Sequence, residues 1–344
     1  MKLCGLDFGS AYCRIARLDE EGPVILRNPA HPENSAVLAS VISLSEQGTP
    51  QLGDKKSGLP LFDVKKYFGQ DSMDCGGLAV KPVEAASVIL KEAKARAAQF
   101  GQDEFSETVI SVPAHFTPGQ QDAYREAVQA ASFKVLAMIP ETQAIGIAYS
   151  RLKKKRGVAA ICSFGAGFSE VAILDLGQGT AVPLMAAAIP FGGVDIDARI
   201  AQNVSVEIEN QFDGAPDEAL RRKIAEESER AKCALSVKGS YDFRFKQGKV
   251  DYTKAFSRYE LTQWIQDLLE DIQPLCEKAV SDSGIPLSGV EEVFLAGGLS
   301  RMPLLREKVE KFFQKKISSD IHPDQAVALG CAIHAGQLSL RHPL

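Results

Sequence analysis

Apolar positions along the chain fall into two kinds of run. Short continuous or alternating stretches mark strands, and stretches at three- and four-residue spacing mark helices. Residues 1–19 read as a strand–turn–strand hairpin. Residues 23–100 are punctuated by Pro and Gly, with short strands near Val37–Leu44 and a helix near Val83–Gln99. Thr108–Pro113 (TVISVP) is an apolar strand. Thr117 then caps a helix that holds Pro118 in its first turn and runs to about Ser132. A strand at Lys134–Ile139 and an apolar-faced helix at Glu141–Leu152 follow. This β-α-β-α order predicts an α/β sheet covered by helices.

The second half opens with a buried strand at Val158–Gly167. Another at Ala181–Pro190 is ended by Phe191-Gly192-Gly193. Helices are predicted at Val194–Phe212, where Ile196, Ile200 and Val204 keep helical spacing, and at Pro216–Val237. Tyr241–Phe245 and Lys249–Tyr252 form a hairpin around Gly248. Ser257–Ser283 reads as one long helical region. A strand at Glu292–Ala296 leads through Gly297-Gly298 to a helix from Pro303 to about Lys315, and Pro323 starts a last helix that runs to about Gly336.

The chain repeats itself. Gly5–Asp19 (GLDFGSAYCRIARLD) aligns with Ile161–Asp175 (ICSFGAGFSEVAILD) at a constant offset of 156 positions. Phe8, Gly9, Ala16, Leu18 and Asp19 meet their identities in Phe164, Gly165, Ala172, Leu174 and Asp175. One strand–turn–strand unit at the head of each half predicts two duplicated lobes facing each other. Such a hairpin suits phosphate. Gly9 and Gly165 let the backbone come close to a ligand, and successive turn N–H groups form a concavity for anionic oxygens. Asp7 closes the first strand, where an acid can hold a metal ion through water. The second copy carries Ser163 there, so the repeat is symmetric in shape but not in charge.

Bulk properties narrow the function. A chain of 344 residues exceeds what one hydrophobic core sustains, in agreement with two lobes. Apolar residues at 45% and charged residues at 24% are ordinary for a soluble globular protein. A net charge of −5 argues against nucleic acid, and Lys153-Lys154-Lys155-Arg156, the only dense basic cluster, reads as a solvated loop. The seven cysteines form no CxxC pair. Cys4, Cys162 and Cys331 sit in apolar runs as small core residues, which points to a reducing, cytoplasmic compartment. No signal-peptide segment and no membrane span are read.

Five stretches now carry a resemblance. Leu6–Cys13 (LDFGSAYC) is similar to the first phosphate loop of the 70-kilodalton heat-shock chaperone family, within the actin-like ATPases. Val109–Tyr149 is the longest match. Phe191–Asp197 (FGGVDID) is similar to the family's LGGEDFD, Leu295–Pro303 (LAGGLSRMP) to its adenosine motif, and His322–Gly330 (HPDQAVALG) to its terminal NPDEAVALG-type helix.

The resemblance implies a two-lobed α/β actin-like ATPase fold with ribonuclease H-like duplicated lobes and a central nucleotide cleft. Lobe I is expected over 1–155, with a small subdomain at about 25–85 and completion by the helix at about 322–344. Lobe II is expected over 156–321, with a small subdomain at about 198–256. ATP or ADP with Mg2+ is the implied ligand. Asp7 would hold the metal through water, with Asp197 as a second metal candidate. Lys65, beside the alternative Lys66, would stabilise charge on the γ-phosphate, and Glu141 would order water. Phosphates would lie on Gly9, Ser10, Ala11, Tyr12, Gly165, Gly167, Gly192 and Gly193. Glu229 and Lys232 would take the ribose, Gly297, Gly298, Ser300 and Arg301 the adenosine, and Asp324 is a further nucleotide-binding candidate. Asp195, Asp197 and Asp324 also fit acids at helix starts, favoured there by the dipole.

Departures from the pattern are specific. The family's DLGGGT is SFGAGF here, so Ser163 stands for the acid and Phe168 for the threonine. Ala11 replaces a threonine in the first loop, Cys233 stands where a longer or basic side chain covers adenine, and the family's Asn-Glu-Pro-Thr is Pro140-Glu141-Thr142-Gln143. Phosphoryl transfer depends on positioning and charge neutralisation, so the expectation is nucleotide binding with weak or absent hydrolysis. No peptide-binding domain of the family's kind is expected after the last helix, so client or co-chaperone partners are expected without autonomous refolding. The rival expectations are a nucleotide-independent scaffold and a small-molecule kinase of the sugar-kinase branch.

Overall fold

Two mixed sheets repeat one connectivity. In the computed structural model of the chain, which describes residues 2–28, 30, 38–53, 62–212, 214–318 and 320–341, the first sheet runs Lys134–Pro140, Phe105–Val112, Lys2–Phe8, Tyr12–Asp19, Gly22–Leu26, with Leu38–Ala39 pairing Tyr12–Asp19. The second runs Glu292–Ala296, Gly157–Phe164, Ser169–Leu176, Ala181–Ile189. In each sheet the opening strand pairs antiparallel with its hairpin partner and parallel with a later strand. The duplication read from the sequence is therefore a duplication of topology.

A shared core joins the sheets. Helices Glu141–Leu152 and Ala326–Arg341 pack on each other, and Ile145, Ala148, Ala328, Cys331 and Ala332 bury against Ala16 and Val109 of the first sheet and Ile161 and Leu174 of the second. Burying each large aliphatic there stabilises by roughly 1.5–3 kcal/mol. Close approach explains the small residues: a β-carbon at Gly330 would run into the Ala144 carbonyl. Two further cores lie on the outer faces. One gathers Phe8, Phe68, Phe105 and Tyr124; the other gathers Ile196, Ile200, Val204, Phe243 and Phe256.

Local signals place most elements. Thr117 accepts from Gln120 N–H, and the Gln120 side chain accepts from Thr117 N–H, which starts helix Pro118–Ala130. The hairpin around Gly248 forms as Ser240–Gln247 with Val250–Ser257. Cys4, Cys162 and Cys331 are buried.

Two expectations change. The helical region at 257–283 is divided into Arg258–Ile265, a 3-10 turn at Asp267–Leu269, and Ile272–Ser283. Pro274 lies in the first turn of the last piece, where its missing N–H costs nothing, whereas inside a continuous helix it would break the ladder. The final helix begins at Ala326 and passes Gly336 to Arg341. Gly336 is not a stop: Leu18 packs where its β-carbon would be. Val37, placed at an expected strand start, and the last three residues of the expected C-terminal segment lie outside the described residues. Among those described, no helix is long and apolar enough to cross a membrane.

Candidate functional site

The two aligned turns close in the same way. Gly9 N–H donates to Tyr12 O at 3.0 Å, and Gly165 N–H donates to Phe168 O at 3.0 Å. The loops then meet: a β-carbon at Gly167 would stand 3.1 Å from Ser10 Oγ. The Gly192-Gly193 segment is laced onto the second loop, with Gly193 N–H to Gly165 O at 3.1 Å and Val194 N–H to Ala166 O at 2.9 Å. Gly192 permits this because any β-carbon would strike the Ala166 carbonyl. The two loops thus meet at Ser10 and Gly167, with Tyr12 O closing the first turn and Ala11 between Ser10 and Tyr12.

Packing beneath the first loop carries in a lysine. Lys65 opens the short turn Lys65–Tyr67, and Phe68 just after it packs on Phe8 (centroids 6.3 Å) and stacks on Tyr124 (5.2 Å). Lys65 is thereby turned inward, 3% exposed, and its Nζ donates to Glu141 Oε1 at 2.6 Å. Lys66 is exposed, beside the ring of Tyr67. Burial alone would lower the Lys65 pKa, but the carboxylates of Glu141, Asp7 and Glu170 outweigh it and the pKa is raised. Asp7, 8% exposed, is pushed up to about 6 by burial first and then by Glu141, against the pull of Arg14 and Lys65.

The second loop is built differently. Ser163, buried, is paired across its hairpin with Glu170. Glu170 Oε1 accepts from Ala114 N–H at 2.7 Å and lies 3.3 Å from His115 Nδ1, while its Oε2 is buried with no hydrogen-bond partner. Burial raises the Glu170 pKa, opposed by the His115 contact. The Phe168 ring packs on His115 with centroids 4.3 Å apart. Strand Ser169–Leu176 of one lobe is thus tied to the loop after strand Phe105–Val112 of the other.

On the expected adenosine side, Gly297 adopts φ +81° and its N–H donates to Pro323 O at 3.0 Å. A β-carbon would strike the Phe164 carbonyl, so only glycine fits this conformation and contact. Ser300 is buried, and its hydroxyl donates to Gly297 O at 2.6 Å, closing the turn. Asp324 Oδ2 accepts from Arg301 Nη2 at 2.6 Å and lies 3.8 Å from Arg14 Nη2; Gly298 faces the same carboxylate. Lys232 Nζ binds Asp197 Oδ2 at 2.6 Å and Gly193 O at 3.0 Å, so it joins its helix to the Gly192-Gly193 turn. Cys233 is exposed. Desolvation by its surroundings raises its thiol pKa first, Glu229 and Asp197 add to that, and Lys232 and Arg301 oppose it.

Arg14, Glu170 and His115 were not among the residues expected from the sequence. The first two had a signal: once the Gly9 and Gly165 turns close, counting outward pairs Asp7 with Arg14 and Ser163 with Glu170. His115 had none, since it reaches Glu170 only through lobe packing.

A comparison with known families identifies the family of the chain. A protein-family model described as Hsp70 protein matches residues 62–342, a span that takes in Lys65, Glu141, the Gly165 turn and the Gly297-Gly298 turn, while the first hairpin precedes it. The duplicated sheets are those of a two-lobed actin-like ATPase fold. Members of this family generally bind ATP or ADP with Mg2+. By fold and by family match this is a chaperone-type ATPase domain, and the chain belongs to the Hsp70 family.

Proposed function

We propose that this chain binds ATP or ADP between its two hairpin loops, closes its lobes on the nucleotide, and turns it over weakly or not at all. One observation carries the reading: the turns at Gly9 and Gly165 have the same closure and approach each other at Ser10 and Gly167, with Lys65 buried nearby. Two facing sets of backbone N–H groups suit a chain of phosphates, and lobe movement would open and close that gap.

The altered second loop supports weak turnover. Ser163 offers no carboxylate, Phe168 is spent on His115, and the nearby acid Glu170 is held by Ala114 N–H. Losing one such carboxylate commonly lowers activity by something like 10–100-fold. In this reading lobe I spans 1–155 plus about 322–344, lobe II spans 156–321, Glu229 and Lys232 face the ribose, Gly298 and Arg301 face the base, and client or co-chaperone proteins read the lobe state in the cytoplasm.

Isothermal titration of the full chain with ADP and ATP, paired with a phosphate-release assay, tests this. The expected result is saturable binding with release close to background. No heat at millimolar nucleotide sinks the proposal, and rapid release removes its second half. The packing of Phe168 on His115 also suits a nucleotide-independent scaffold, which predicts partner capture unchanged by nucleotide.

A further inference from the structure

Arg14 leaves the first hairpin directly opposite Asp7, so the two side chains share one face of the sheet. The Arg14 side chain is 13% exposed. Its guanidinium lies 5.6 Å from the centre of the Tyr12 ring and 3.8 Å from Asp324, the carboxylate that also holds Arg301. A fixed positive charge therefore neighbours both the phosphate-loop acid and the adenosine-side acid.

The surrounding residues fit phosphate oxygens and do not fit Mg2+. Magnesium in nucleotide sites is held by one or two carboxylates together with phosphates and water. Here an ion beside Asp7 would sit against a guanidinium. Glu141 is engaged by Lys65 at 2.6 Å, and Asp197 by Lys232 at 2.6 Å. The second loop contributes a hydroxyl at Ser163, and among the described residues no group of three or more His, Cys, Asp or Glu is placed to hold a metal ion. A guanidinium, by contrast, presents a planar fork that matches two phosphate oxygens.

We infer that Arg14 supplies the counter-charge to the phosphates of a bound nucleoside diphosphate in place of a divalent cation, so that the nucleotide is held without magnesium. This rests on the nucleotide-binding reading above.

The test is calorimetric titration of the full chain with ADP, once with millimolar magnesium and once with excess EDTA. The two dissociation constants are expected to agree within about threefold, less than 1 kcal/mol. Arg14→Gln is expected to weaken ADP binding in EDTA by about tenfold or more, the loss of one charge-assisted contact, and to make binding respond to magnesium. Arg14→Lys, which keeps the charge without the fork, falls between. Thermal melts establish that each variant is folded; where Arg14→Gln is not, the wild-type pair and Arg14→Lys decide. A wild-type loss of about tenfold or more on chelation overturns the inference, as does unchanged ADP affinity of folded Arg14→Gln in EDTA. Absence of binding in both buffers overturns the nucleotide reading itself, a result distinct from binding that needs magnesium.

Discussion

Asp7 and Arg14 face each other across the first hairpin at the same two positions that Ser163 and Glu170 occupy across the second. The backbone of the repeat is kept and its charges are rearranged. The first hairpin carries an acid at its inner position and a base at its outer one. The second carries a hydroxyl and an acid.

The Asp7 carboxyl gives a pH signature. Its pKa in the folded chain is about 6, against an ordinary 3.8, because burial and Glu141 disfavour the charged form. A raised acid contributes stability that is complete below the unfolded value and is lost as pH rises through the folded one. Asp7→Asn removes this titration. Melting curves should show Asp7→Asn and wild type alike near pH 4, with the variant more stable by roughly 1–3 kcal/mol above pH 7. Equal stability at both pH values would falsify the buried-acid assignment.

Lys65 and Glu141 form a pair in which the ammonium is almost wholly enclosed and the carboxylate keeps some solvent. Lys65→Met should cost roughly 2–3 kcal/mol, below the full range for a buried pair because Glu141 remains partly hydrated. Adding Glu141→Leu should recover part of that loss. A denaturant double-mutant cycle reads the coupling, and simple additivity would mean that the pair contributes nothing.

Turnover should respond to the second loop. Ser163→Asp combined with Phe168→Thr restores an acid and a hydroxyl and frees His115 from its ring contact. Phosphate release is expected to rise by about tenfold or more over wild type. A flat result in a folded variant would place the lesion elsewhere in the cleft.

Gly297 tests the adenosine side. Gly297→Ala puts a β-carbon against the Phe164 carbonyl at φ +81°. Destabilisation of roughly 1–3 kcal/mol is expected, with weaker nucleotide binding, because the backbone must shift. Calorimetry and a melt on the same sample separate the two effects.

Much of this site was legible along the chain. The offset repeat announced two hairpins, and the turns at Gly9 and Gly165 close as expected because closure involves residues only three apart. The helix from Thr117 and the strand Glu292–Ala296 followed from capping and apolar runs. The long helical region read at 257–283 forms in three pieces, and Pro274 sits in the first turn of the last, where its fixed ring and missing N–H are tolerated.

The sequence by itself determined the local units: two related glycine turns, a glycine pair before each of two helices, and an acid present in one copy and missing in the other. These depend on short-range sterics and hydrogen bonds, which neighbouring residues settle. Only the tertiary structure decided which charges meet. It turned Lys65 rather than Lys66 inward to a partner 76 residues away, set Glu170 against Ala114 across 56 residues, and brought Arg14 and Arg301 to one carboxylate at Asp324. Those encounters follow from how the sheets and the helix pair Glu141–Leu152 and Ala326–Arg341 bury their shared core, a property of the packed whole that no run of residues contains.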